Sequence, residues 1–413
     1  MRIDKLIPSF SILLILVFTS AASSFFRNPY SELVLLVILV SLNNIHSSKS
    51  IIRKNVLTIS ILWLFYNILY FLFYGVISIN SLGYIIISTI IAQIIINING
   101  KDLVFNISNV IYKLSLLSLI FYVLQIINFS STYTFIKSIQ NFIGIDTSGF
   151  EIKKAYSSIF IYTIADFPAG VLNLRRNFGF MWEPGGFATI VVTGFILHLS
   201  LNTFNLKDKK AIIFLLTIFT TFSTTGYIAL LVIFSYYIYI NFKGNLSSII
   251  TIFITVLITY SVLISGIVTE KLQLHYETGL EVSDVKSSRE SSGSLGRFGG
   301  LLINFKEYSS RPIFGHYFDK TDRIFDESMA SMNGLGNFLV RYGTIGIIIL
   351  FIGYFKTAKS LFPDKLLSFH HLFVIVLLIN AFAFNLIRLP FFFLFIVYGY
   401  LNPRFINQKK RLN

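Results

Sequence analysis

The stretch "RRNFGFMWEPGGFATIVVTGFILHL" runs from Arg175 to Leu199 and changes character at Pro184. Before the proline stand two arginines, several aromatic residues and Glu183; the 15 residues after it carry no charge. Proline suits the first turn of a helix, where its missing N–H would have had no intrahelical acceptor anyway, and Glu183 falls in the cap position. A polar segment therefore hands over here to an apolar helix of membrane-crossing character.

The same pattern recurs along the chain. Its 413 residues are 54% hydrophobic, with a mean hydropathy of +0.73. Many separate apolar runs have the length of roughly 17–25 residues that crosses a bilayer as helix. The expectation is an all-α polytopic membrane protein, one integral domain over residues 1–413. About twelve spans are predicted, centred near residues 14, 38, 67, 90, 117, 195, 217, 234, 258, 346, 378 and 396. The opening "MRIDKLIPSFSILLILVFTSAASS" has the charged start, apolar centre and small residues of a signal peptide. With so many spans behind it, it reads as an uncleaved first helix.

Cysteine is absent and the 6 histidines are scattered without metal-ligand spacing, which argues against a disulfide frame or a zinc site. No metal and no cofactor is expected. The net charge of +15 is explained by position rather than by a nucleic-acid partner. With the N-terminus in the cytoplasm and spans alternating, inner segments carry most of the Lys and Arg residues, among them Lys54, Lys101, Lys207, Lys209, Lys210, Lys356 and Lys365. Short outer loops hold only Arg27 and Arg388. This bias is the positive-inside rule, and it puts both termini in the cytoplasm.

Two long segments, residues 128–185 and 269–333, fall outside under this alternation. Loops of that length are usually functional or disordered. In the first, "AYSSIFIYTIADFPAGVLNL" reads as short helices lying on the membrane surface. The second passes from the Ser-rich "EVSDVKSSRESSGS" to the more ordered-looking "GRFGGLLINFKEYSSRPIFGHYFD". Just beyond it, Asn333, Asn337, Arg341 and Thr344 follow i, i+4, i+8, i+11 spacing, which aligns them on one helical face. Intramembrane polar groups normally face a cavity or a bundle interior, so the stripe predicts an outward-facing polar cavity. Lys113 lies near the end of its span and reads as a snorkelling side chain.

The quoted stretch then takes on chemistry. The outer N-terminus of its helix presents unpaired N–H groups, and Gly185 and Gly186 would let a ligand approach the backbone closely. Arg175 and Arg176 beside that terminus suit a diphosphate, which a guanidinium grips with paired hydrogen bonds. Glu183 either caps the helix and pairs with an arginine, or accepts a proton from a hydroxyl near the anion. Trp182 reads as an interface anchor. The second loop repeats the phrase of an arginine followed four positions later by glycine: Arg175 with Gly179, Arg311 with Gly315. Arg297 adds a further outer arginine beside glycines.

On four segments, "RRNFGFMWEPGGFA", "TFSTTGYIAL", "GRFGGLLINFKEYSSRPIFGH" and "NGLGNFLVRYGTIG", the chain resembles the O-antigen polymerase and O-antigen ligase superfamily of bacterial surface-polysaccharide assembly. The resemblance covers roughly residues 175–350. It implies a metal-independent membrane glycosyltransferase of the GT-C-like class in the bacterial inner membrane, working on its extracytoplasmic face. Such enzymes take a glycan from undecaprenyl diphosphate, with arginines neutralising the leaving group. A chain-length regulator protein is a further partner the resemblance implies. Ligases commonly have a histidine where Met332 stands, although Asn333, Gly343 and Gly346 keep their register, and an arginine where Thr224 stands. The polymerase is therefore the expectation, with Glu183, Arg175, Arg176, Arg311 and His316 in the chemistry and Arg297, Asn333, Asn337, Arg341, Gly185 and Gly186 on the substrate. The alternatives are a ligase, or an exporter of lipid-linked sugars. Concentration of Arg, Glu and Gly motifs in outer loops separates an enzyme from a transporter, which usually binds at mid-membrane between repeated halves.

Overall fold

A computed structural model describes residues 6–28, 30–46, 50–51, 53–75, 79–147, 155–166, 168–169, 174–241, 297–316, 333–385, 387 and 389–401. The chain is mostly helical. In order come α1 (Ile7–Thr19), α2 (Ser24–Arg27), α3 (Tyr30–His46), α4 (Lys54–Tyr74), α5 (Ile79–Asn99), α6 (Leu103–Ile127) and α7 (Phe129–Ile143). Four short strands follow, β1 (Ser157–Ile159), β2 (Tyr162–Ile164), β3 (Pro168–Ala169) and β4 (Leu174–Arg175). Next are α8 (Pro184–Leu201), α9 (Lys209–Thr220), α10 (Thr224–Asn241), α11 (Arg297–Ser310), α12 (Gly334–Leu361), α13 (Leu367–Ala383) and α14 (Pro390–Leu401). Among the described residues, 5 helical stretches are long and apolar enough to cross a membrane: Lys54–Tyr74, Gly83–Ile127, Pro184–Leu201, Thr224–Asn241 and Gly334–Leu361. Helices also cover the other predicted centres near residues 14, 38, 217, 378 and 396. The centre near 258 lies outside the described residues.

Contacts divide the chain into two compact units, residues 1–49 with 94–261 and residues 50–93 with 262–413. In the first unit α8 packs against α6, α9 and α10, and every residue from Pro184 to Ser200 is buried. That explains why it is apolar all round rather than on one stripe. Helix ends gather at one end of this unit. The Trp182 N–H donates to the Ser20 carbonyl just past α1 at 3.2 Å, and Asn177 Nδ2 donates to Ser118 Oγ of α6 and Thr220 Oγ1 of α9. At the far end His198 of α8 lies 2.7 Å from Asp208, whose side chain caps α9 by accepting from the Lys210 N–H. Burial works to raise the Asp208 carboxyl, but the His198 hydrogen bond and the N–H groups of Lys210 and Ala211 outweigh it and hold it below the usual carboxylate range.

In the second unit α12 packs against α11, α13 and α14, and α14 touches α4. Asn55 Nδ2 at the start of α4 donates to the Leu401 carbonyl at the end of α14. The opposite end of α4 meets residues 311–316, as described below.

The first long loop departs from expectation. Residues 157–164 form an antiparallel hairpin in which Ser157 faces Ile164 and Ile159 faces Tyr162, and a second short pair joins β3 to β4. Surface helices were expected there. The β-branched and aromatic residues of "SSIFIYTI" favour a pleated backbone, and the hairpin has something to pack on: α7 buries Thr132, Ile136 and Gln140, and Gln140 Oε1 accepts from both the Ser157 hydroxyl and the Ser158 N–H. Tyr162 is fully buried, its hydroxyl donates to Gln125 Oε1 at 2.8 Å, and burial pushes its phenol pKa up.

Candidate functional site

The predicted residues fall into one group in each unit. In the first, Arg175 ends β4 with its guanidinium 4.2 Å from the centre of the Phe129 ring and its Nε 3.4 Å from Asp166 Oδ1. It remains partly exposed. Arg176 has a different place: Nε donates to the Thr221 carbonyl and a terminal nitrogen to the Phe222 carbonyl, each at 3.0 Å. These carbonyls follow α9, so the guanidinium covers the negative end of that helix. The neighbouring Asn177 completes the clasp, with its N–H on the Thr220 carbonyl. Gly179, four residues past Arg175, takes φ +51°.

Glu183 holds the N-cap position of α8 with extended backbone, but its side chain does not accept from the first turn of the helix. Capping through the carboxylate is therefore not its role. Pro184 starts the helix as expected. Gly185 is buried, and the space beside Gly186 is taken by the protein itself, since a Cβ there would meet Met181 Cε at 3.2 Å and the Trp182 ring at 3.6 Å. The close approach foreseen for a ligand at Gly186 is made by these side chains. Trp182 packs on Tyr156, Ala165 and Phe178, so its ring adds to the loop's own core.

The second group is built on a broken helix. Within α12, Gly343 has φ 60° and ψ −161°, far from helical, a conformation open to glycine alone. Residues 312–316 lie along the break. The Thr344 N–H donates to the Pro312 carbonyl at 2.9 Å, the Ile345 N–H to the Ile313 carbonyl at 3.3 Å, and the His316 N–H to the Val340 carbonyl at 2.7 Å. Groups that the break removes from the helix ladder thus find partners in the loop, as buried backbone requires. Gly315 lies against the α12 backbone with φ +71°, and a Cβ there would sit 2.6 Å from the Gly343 nitrogen.

This arrangement positions the polar residues. Asn333 caps α12, its Oδ1 accepting from the Gly336 N–H at 2.8 Å. Asn337 and Arg341 are 1% and 4% exposed, and Arg341 Nε donates to Asn337 Oδ1 at 3.3 Å. Arg341 is thus inside the unit, not a snorkelling side chain. The predicted stripe stops there: the break turns Thr344 outward, where its hydroxyl bonds the Pro312 carbonyl and the Tyr308 hydroxyl. His316 is 1% exposed, with Nε2 2.8 Å from Ser310 Oγ and 3.0 Å from the Glu307 carbonyl. Arg311 stacks 4.4 Å from the Tyr74 ring centre and donates to the Tyr70 hydroxyl at 3.2 Å. Arg297 begins α11.

Sequence reasoning missed Asn304 and Glu307, both fully buried on α11, and Tyr70. The first two had a signal: with Arg311 they follow i, i+3, i+7 spacing, one face of a helix. Chemically the second unit offers a fixed, partly exposed guanidinium beside aromatic rings, together with a buried amide and guanidinium stripe at the start of α12. Such groups suit an anionic or hydroxyl-rich ligand. Among the described residues no three His, Cys, Asp or Glu side chains group together. Comparison with known protein families and with curated proteins finds no match to this chain.

Proposed function

We propose that the chain is a polysaccharide repeat-unit polymerase: a metal-independent glycosyltransferase of the GT-C-like membrane class that moves a glycan from undecaprenyl diphosphate to a sugar hydroxyl of another lipid-linked repeat. In this reading the acceptor hydroxyl attacks the anomeric carbon, the bond from that carbon to the diphosphate oxygen breaks, and undecaprenyl diphosphate leaves. The hydroxyl proton passes to a general base, for which Glu183 at the N-cap position of α8 is the candidate. Arg311 meets the charge that develops on the diphosphate, while Asn333, Asn337, Arg341 and Arg297 serve the glycan. The observation that carries the reading is Arg311, a guanidinium kept partly exposed and held by Tyr70 and Tyr74. About twelve spans, a site on the extracytoplasmic face of the bacterial inner membrane and cytoplasmic termini complete the proposal. Its partners are membrane lipid, the lipid-linked donor and acceptor, and a chain-length regulator.

Two expected results test it. Reporters fused near residues 150 and 300 should read as extracytoplasmic, and those near 208 and 360 as cytoplasmic, because of the charge bias across the short loops. A cytoplasmic signal at 300 would put Arg311 on the wrong face and end the proposal. Purified protein should also extend a defined lipid-linked oligosaccharide in excess chelator, since arginines rather than a metal ion neutralise the leaving group. Activity that disappears with the chelator and returns with magnesium or manganese would contradict it.

A further inference from the structure

We propose that Tyr70 is a positioning residue for Arg311, fixing the guanidinium at the place where it receives the diphosphate; this rests on the polymerase reading above. Tyr70 is 1% exposed in the last turns of α4. Its hydroxyl is fixed by hydrogen bonds on both sides. It donates to the His316 carbonyl at 2.9 Å and so presents its lone pairs to Arg311, which donates to it at 3.2 Å. The Tyr74 ring lies under the same guanidinium and tilts against Tyr70, with ring centres 4.8 Å apart. The backbone of Arg311 is fixed as well, its N–H on the Tyr308 carbonyl and its carbonyl accepting from the Gly315 N–H. One α4 hydroxyl therefore joins the arginine side chain to the segment that crosses the α12 break. A flexible arginine pays side-chain entropy each time it grips an anion, and a guanidinium already held in place pays less.

Tyr66 supplies a built-in control. It sits one turn earlier on α4, and its hydroxyl donates to the Phe314 carbonyl at 2.8 Å, anchoring the same segment. Tyr70 bonds Arg311 as well as the segment.

The test measures binding of farnesyl diphosphate to the detergent-purified full chain by calorimetry, for the wild type, Tyr70→Phe, Tyr66→Phe, Arg311→Lys and the Tyr70→Phe/Arg311→Lys double variant. Loss of one hydrogen bond to a charged group should weaken binding roughly tenfold in Tyr70→Phe, with a matching rise in KM for the lipid-linked donor and a smaller change in kcat. Tyr66→Phe should bind as the wild type does. In the Arg311→Lys background Tyr70→Phe should add no further loss. Unchanged affinity in Tyr70→Phe, an equal loss in Tyr66→Phe, or an undiminished Tyr70 effect on the lysine background would each overturn the assignment while leaving the polymerase reading intact. Wild-type protein that shows no Arg311-dependent binding would overturn both. Should Tyr70→Phe fail to fold, Tyr70→Trp keeps an aromatic ring without a hydroxyl and faces the same criteria.

Discussion

Arg311→Lys is expected to abolish long polymer while leaving the protein folded and normally abundant. Lysine keeps the positive charge but loses the planar fork that meets two phosphate oxygens at once. It also gives up the guanidinium's contact with the face of the Tyr74 ring. A loss of ~3 kcal/mol in transition-state stabilisation slows the reaction roughly a hundredfold, enough to collapse a ladder of products to its first rungs. In vitro elongation of a lipid-linked repeat, read on a gel, measures it. Arg175→Lys and Glu183→Gln belong in the same series, the latter removing a base at nearly constant size. Arg176→Lys does not test the chemistry cleanly, because its guanidinium holds the Thr221 and Phe222 carbonyls; its expected effect is lowered thermal stability. Normal-length polymer from Arg311→Lys, Arg175→Lys and Glu183→Gln together would refute the site.

Gly343→Ala is expected to be the most damaging of the small substitutions for stability. The backbone there has φ 60° and ψ −161°, a region that costs residues with a Cβ about 1–3 kcal/mol. The added methyl would also strike the Ile313 carbonyl and come within 2.6 Å of the Gly315 nitrogen. Both atoms are backbone, and neither can rotate away. The segment 312–316 would have to lift, exposing the N–H groups of Thr344 and Ile345. Scanning fluorimetry in detergent should show a drop of several degrees in the melting temperature together with aggregation. A melting profile like that of the wild type would mean that the break is not held by this packing.

The helices were legible in the sequence because uniform apolarity survives any choice of packing partner. Pro184 marked the start of α8 for a local reason that needed no tertiary knowledge. What stayed hidden depends on distant partners. The β1–β2 hairpin is stabilised by Gln140 and Gln125, residues far away in sequence that no local pattern connects to it. Arg176 looked like its neighbour, yet its place was decided by the end of α9, 45 positions on. The residues from Asn333 to Arg341 do share one stretch of helix, but helical spacing cannot register a break, and so Thr344 was carried one turn too far. Gly343 and Gly315 stood out in the sequence only as motif positions; their mutual contact shows why a side chain is excluded at both.

The broken α12 also bears on how the protein is made. A helix with an interruption offers the lipid bare amide groups, and a chain released into the bilayer in that state would stall or turn back. Here the remedy is encoded upstream. Residues 312–316 leave the ribosome before Gly343 does, and chains are synthesised from the N-terminus. By the time the interrupted segment is made, the residues that complete it have already been synthesised. Chain order thus acts as an assembly schedule, and a circular permutant that placed α12 ahead of this loop would have to insert its interruption uncovered.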